Sequence, residues 1–137
     1  LKEVLVDTNV LVSFVFDREP EQQEQADELL RLAASGRLRV LLHQVVLTEM
    51  AWVLLNLYDV PPAEVRATLG DLLSLPGTVP VHELSWVRVL DLWPNQVRDL
   101  GDAAIAAVAL QTHADAVATF DRPFRRRLKS LRLASYW

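Results

Sequence analysis

At 137 residues, about half of them apolar, the chain is long enough to bury one core and too short for a second domain to be expected. The absence of cysteine excludes disulfides, thiolate metal sites and a cysteine nucleophile, as suits a reducing compartment. The net charge of −4 argues against a nucleic-acid partner as a sum, but all eighteen acids lie at or before Asp121, and Arg122, Arg125, Arg126, Arg127, Lys129 and Arg132 follow it with no acid among them.

In chain order, short apolar runs predict strands over 3–6, 39–42, 79–81 and 116–119, with a weaker one over 132–134. Between them, helical spacing predicts helices at about 10–16, 20–35, 46–57, 62–73, 84–97, 102–112 and 123–129. Gly36 is read as a carboxyl cap and Pro61-Pro62 as a helix start. Strands that are apolar on both faces and joined through helices make a mostly parallel sheet covered on both faces, hence an α/β fold. No repeat or flexible linker interrupts it, and Pro76-Gly77 reads as a turn, so one domain over 1–137 is expected. No run is long and apolar enough to span a bilayer, and the opening residues enter a strand without a signal-like pattern. A cytoplasmic protein with no membrane partner is therefore expected. Because the chain opens on Leu1, an initiator or short leader is expected ahead of it.

Four acids stand beside apolar segments: Asp7 after Val4-Leu5-Val6, Glu49 and Asp102 near the starts of two helices, and Asp121 after Ala118-Thr119-Phe120. Open parallel sheets bind ligands at the carboxyl ends of their strands, where Asp7 and Asp121 fall. Each acid taken alone reads as a helix cap or a first-turn acid. Caps, however, are made equally well by serine, threonine or asparagine, whereas all four places carry a charge. Four converging carboxylates repel one another unless cations neutralise them, which points to one or two Mg²⁺ or Mn²⁺ ions. Such ions activate water and stabilise the oxygens of a phosphoryl displacement. Asp99 is read as a solvated acid or spare ligand, because Gly101 argues against a helix starting that early, and Asp115 as lying away from the crevice.

The segments Val4-Leu5-Val6-Asp7-Thr8-Asn9-Val10-Leu11, Leu47-Thr48-Glu49-Met50, Asp102-Ala103-Ala104-Ile105-Ala106-Ala107-Val108-Ala109 and Ala118-Thr119-Phe120-Asp121-Arg122-Pro123-Phe124 together resemble the four acidic motifs of PIN domain ribonucleases, in the same order. The VapC-type toxins of toxin–antitoxin systems are of this kind. The resemblance implies a five-stranded sheet of order 3-2-1-4-5 and metal-dependent endonucleolytic cleavage of RNA. It implies Asp7 and Asp102 as main metal ligands, Asp121 as a ligand directly or through water, and Glu49 holding a second ion or the attacking water. Thr8, Asn9 and Thr119 are then expected to orient those ligands, and Arg122, Arg125, Arg126, Arg127 and Lys129 to hold RNA phosphates. A protein antitoxin and a second copy of the chain are the expected partners, docking on the amphipathic segments 45–57 and 62–75.

Two other readings compete with this one. A PIN-like module that binds RNA or protein without cutting is disfavoured by the retention of all four acids. A haloacid-dehalogenase-type phosphatase lacks its second acid, since Asn9 stands two residues after Asp7, and its late lysine, since the only lysines are Lys2 and Lys129. Gly36, Gly70, Gly77 and Gly101 form no phosphate-binding loop, and His43, His82 and His113 have no serine partner in view, so they read as structural or exposed. Trp52, Trp86, Trp93 and Trp137 are read as filling core or interface, with Trp137 the one expected to be exposed.

Overall fold

The computed structural model describes residues 1–16 and 19–137. Among these, the elements run β1 (Lys2–Val6), α1 (Thr8–Val15), α2 (Pro20–Ala34), β2 (Leu38–His43), α3 (Gln44–Asn56), α4 (Pro62–Ser74), β3 (Thr78–Val81), α5 (Trp86–Leu92), α6 (Leu100–Thr112), β4 (Ala116–Ala118) and α7 (Arg122–Ser130). The four strands form one parallel sheet of order β3-β2-β1-β4. Val4, Leu5 and Val6 are fully buried, as are Ala116, Val117 and Ala118. Successive strand residues face opposite sides, so burial of every one means that both sheet faces are covered. No described helix is long and apolar enough to cross a membrane.

The chain winds outward from β1 to β2 to β3 and then returns across the sheet to place β4 on the other flank of β1. The reversal opens a crevice at the carboxyl ends of β1 and β4, the position where such sheets take their ligands. The opposite end of this strand pair is locked by a reciprocal pair of hydrogen bonds. The Glu3 amide donates to Asp115 Oδ2 at 2.7 Å, and the Asp115 amide donates to the Glu3 carbonyl at 2.8 Å. Asp115 thus sits away from the crevice, as its place in the sequence implies.

A fifth strand over 132–134 does not form. In its place a single parallel bridge joins Val117 and Ser135, with the Val117 amide donating to Ala134 and the Tyr136 amide to Val117. Arg132 holds a left-handed φ of 61°, which breaks the extension needed for a ladder. The sheet is therefore four-stranded, and the edge of β4 is closed by this bridge instead.

Two helices also differ from their expected limits. The segment 84–97 is helical only over Trp86–Leu92; Trp93 is extended ahead of Pro94, as residues before proline tend to be. Helix α6 begins at Leu100 instead of Asp102, because Asp99 caps it by accepting from the Asp102 amide at 2.9 Å. Trp137, expected to be exposed, is instead packed against the core, and Trp52 and Trp86 lie at the surface. Trp52 and Trp86 are 56% and 54% exposed, whereas Trp137 stacks on Phe120 with ring centres 4.7 Å apart.

The turn into β3 rests on a bare backbone. Gly77 has φ 81°, and a β-carbon there would lie 2.1 Å from the Ala33 carbonyl oxygen of α2; at Gly36, φ 79°, the space is open. Gly36→Ala is therefore expected to cost roughly 1–2 kcal/mol, the penalty of a left-handed L-residue. Gly77→Ala should cost clearly more because backbone must also move. Equal losses in urea unfolding of the two variants would contradict this account.

Candidate functional site

Asp7 ends β1 and caps α1. Its Oδ1 accepts from the Thr8 amide at 2.7 Å, and its Oδ2 accepts from the Thr119 hydroxyl at 2.7 Å, across the β1–β4 boundary. The Thr119 oxygen in turn accepts from Asn9 Nδ2 at 3.2 Å and from the Asp121 amide at 3.1 Å, while Asn9 Oδ1 accepts from the Phe120 amide at 3.1 Å. Asp121 caps α7 by accepting from the Phe124 amide at 3.0 Å. The ends of β1 and β4 are thus tied by one side-chain network that aims two carboxylates at one place. Thr119 and Asn9 hold Asp7 and the β4 end. Thr8 does so through its amide only.

The crevice, about 300 Å³, is lined by Asp7, Thr8, Asn9, Glu49, Asp99, Asp102 and Asp121, with Val12, Val53, Leu57 and Tyr58 forming an apolar wall. All four acids singled out from the sequence therefore meet here, and Asp99 joins them. Sequence pattern underrates Asp99 because Gly101 reads as a helix breaker. The signal that could have revealed it is the Asp-x-x-Asp spacing, a cap followed by a third-position acid. Glu49 lies in the second turn of α3, not its first, so it reaches the crevice from the helix side and does not complement the helix start. His43 is structural: buried, its Nδ1 accepts from the Val45 amide and its Nε2 donates to the Glu83 carbonyl, so the neutral ring caps α3 and burial depresses its pKa.

The acids perturb one another. Burial pushes the Asp7 carboxyl up to about 6, partly offset by the Thr119 and Thr8 hydrogen bonds, with Glu49 and Asp121 adding repulsion. Asp102, half-buried, rises to about 7 through burial first and then the charges of Asp7, Asp99, Asp121 and Glu49. Glu49 is raised by burial, partly offset by a side-chain hydrogen bond from Thr8, with Asp99 adding a smaller repulsion. Neither of the described ion pairs, Arg31–Glu28 and Arg39–Glu3, brings a cation to these groups.

The donors suit a hard divalent cation: carboxylate and hydroxyl oxygens, with no sulfur or imidazole lining the crevice. The Thr8 hydroxyl is buried against Glu49 and tempers the rise of that carboxyl by hydrogen bonding. Among the described residues, no three acid, histidine or cysteine side chains close into a ligand cage.

The basic residues after Asp121 divide by position. Phe124 and Leu128, one helical turn apart, fasten α7 to the core, leaving Arg122, Arg126, Arg127 and Lys129 exposed. Arg125 is different. Its Nε donates to the Thr119 carbonyl at 2.8 Å, so this side chain braces the end of β4 beside the crevice.

Fold and crevice together define an α/β domain wound both ways about a parallel sheet, with carboxylates gathered at the strand reversal. The family model of the PIN domain matches residues 4–128, and the chain belongs to the PIN domain family. Similar solved structures include VapC20 of Mycobacterium tuberculosis, a sarcin–ricin-loop-cleaving toxin (21% identity, TM-score 0.66, covering 90% of this chain and 93% of that one). VapBC2 of Rickettsia felis, bound to a promoter DNA fragment, is 15% identical with TM-score 0.68, covering 97% and 96%. PAE2754 of Pyrobaculum aerophilum is 21% identical with TM-score 0.60, covering 92% and 86%. At these identities the likeness is one of fold. No curated protein matches by sequence.

The raised carboxyls have a thermodynamic consequence. An acid whose folded pKa lies above its ordinary value favours the native state at low pH, and that contribution is lost as pH rises through the folded pKa. Asp7 and Asp102 place this window between about 4 and about 7. His43 acts in the opposite sense below its ordinary pKa, so the acids are isolated by comparing variants. Asp102→Asn in chelator should melt higher than wild type at pH 8, with the difference shrinking towards pH 4. A difference independent of pH would refute the repulsion.

Proposed function

We propose that the chain, acting as a single PIN domain over 1–137, is a Mg²⁺- or Mn²⁺-dependent endoribonuclease of single-stranded or loop RNA and the toxin of a toxin–antitoxin pair. The carrying observation is the meeting of Asp7, Glu49, Asp102 and Asp121 in one crevice at the strand reversal. The bound cation would supply an activated water and stabilisation of the phosphodiester oxygens. Asp7 and Asp102 would hold it, with Asp121 binding directly or through water and Glu49 serving a second ion or the water. Thr119 keeps Asp7 in one orientation by donating to Oδ2, and Asn9 keeps Thr119 in place. The apolar wall of Val12, Val53, Leu57 and Tyr58 limits water on one side of the crevice.

Exposed Arg122, Arg126, Arg127 and Lys129 would grip RNA phosphates, with Arg125 bracing the strand from which Asp121 projects. Two features support protein partners. A groove between α3 and α4 is lined by Leu55, Pro62, Val65, Leu69 and Leu73, and Trp52 and Trp86 lie exposed on α3 and α5. An antitoxin and a second copy of the chain are the proposed occupants, in a cytoplasmic setting, and the VapBC2 structure supports the first of these.

Cleavage of single-stranded RNA should require Mg²⁺ or Mn²⁺ and stop in excess chelator. Asp7→Asn, which keeps a capping oxygen and removes the charge, should lower the rate at least ~100-fold, the order seen on removing one electrostatic stabiliser, while the variant stays folded. Turnover that survives EDTA would reject the mechanism.

Replacing Arg126 and Arg127 by glutamine should weaken binding of unrelated RNAs alike. The slope of log affinity against log salt should fall by about 0.7 for each phosphate that is no longer gripped. An unchanged slope together with abolished antitoxin binding would assign these arginines to regulation.

A further inference from the structure

Metal and phosphate chemistry accounts for the carboxylate side of the crevice and leaves its other side unexplained. There Val12 of α1, Val53 of α3 and the two residues that follow α3, Leu57 and Tyr58, line the same crevice as five acids. An apolar wall gives nothing to a cation or a phosphate, and it strips water from the acids beside it. Nor does the core require all of it, because Leu57 keeps 63% of its surface exposed.

The wall is held still. The Tyr58 ring stacks on Phe16 at the end of α1, with ring centres 4.7 Å apart and planes at 24°, so one face is backed and the uncovered part of the ring borders the crevice. Asp59 takes a left-handed φ of 50°, and the Val60 amide donates back to the Leu54 carbonyl at 2.9 Å, which fixes the turn that carries Tyr58. Pro61 and Pro62 follow and stiffen the exit from that turn. A ring already immobilised in this way loses little freedom when a second flat ring is laid against it.

A single strand of RNA presents flat base faces on an anionic backbone, and its bases are commonly taken up by stacking on aromatic side chains. The crevice has the two halves such a nucleotide needs: carboxylates for the cation that meets the phosphate, and an aromatic, apolar wall for the base. At about 300 Å³ it is at the small end of ligand pockets, suited to one nucleotide and not to a duplex. We propose that Leu57 and Tyr58, with Phe16 behind the ring, form a binding site for one nucleobase of the substrate strand next to the scissile phosphate. The inference rests on the metal-dependent ribonuclease reading and adds to it a subsite for the base. Stacking reads no hydrogen-bond pattern, so this subsite accepts all four bases.

The test is ligand-observed NMR saturation transfer on the full chain in saturating Mg²⁺, comparing the four ribonucleoside 5′-monophosphates with ribose 5-phosphate, which carries the sugar and phosphate without a base. Wild type should bind the nucleotides at least about fivefold more tightly than ribose 5-phosphate, with saturation reaching the base protons more strongly than the sugar protons. Tyr58→Ala should bring the nucleotides down towards the affinity of the sugar phosphate and leave the latter unchanged. Leu57→Ser alters an exposed position on which the core does not depend, so it stays folded, and it should weaken the nucleotides at least about threefold. Nucleotides bound no better than ribose 5-phosphate, or bound with unchanged affinity by folded Tyr58→Ala and Leu57→Ser, would overturn the proposal and leave the wall to an apolar side chain of a protein partner. Cutting of single-stranded RNA by wild type in that case would keep the ribonuclease reading. Base binding that depends on Tyr58, in a chain that cuts no RNA with Mg²⁺ or Mn²⁺, would instead keep the subsite and sink that reading.

Discussion

A carboxylate held almost wholly out of water at the end of the central strand is the constraint on which the rest of this structure turns. Asp7 is 6% exposed, and burial of an ion is tolerable only when its oxygens are satisfied. Three donors do this: the Thr8 amide, the Asn9 side-chain amide and the Thr119 hydroxyl just past β4, more than a hundred residues later. The Thr119 donor exists only because β4 lies beside β1, so the crossover that reverses the winding of the sheet is a requirement of the site as well as of the topology. Asn9 and the Phe120 amide complete a closed set of partners, which is why the two strand ends cannot move independently.

The same geometry concentrates negative charge, and helix starts temper it. Asp7, Asp99 and Asp121 each cap a helix, so the amino-terminal ends of α1, α6 and α7 face the crevice with their unpaired amides and positive dipole ends. This compensation is partial. Asp102 and Asp7 still lie far above the ordinary carboxylate range, a strain that a bound cation would relieve.

Much of this is legible in the residues. Apolar runs locate all four strands, and the four acids beside them mark the crevice, because buried parallel strands leave little doubt about where their carboxyl ends open. What stays hidden involves features that local pattern does not encode. The backbone twist at Arg132 that replaces a fifth strand with one bridge depends on how α7 ends, and alternation over three residues cannot show it. Gly101 looks like a stop signal, although in the first turn a glycine is tolerated when a good cap precedes it, and that misreading hides Asp99. Arg125 looks like its neighbours in sequence, and only its place on the inner side of α7 turns it from a surface charge into a brace. Trp52 and Trp86 read by residue type as core or interface, and nothing in the sequence around them says which.

The double duty of the capping acids has a consequence for how such a protein can change over generations. A codon for aspartate becomes one for asparagine by a single base change, and asparagine caps a helix as well as aspartate does. At Asp7, Asp99 or Asp121 that change would keep the amide partner, spare the fold and relieve repulsion in the metal-free state. Selection for stability alone would therefore push these positions towards neutral residues, and a folded descendant with a less charged crevice lies one mutation away at each of them.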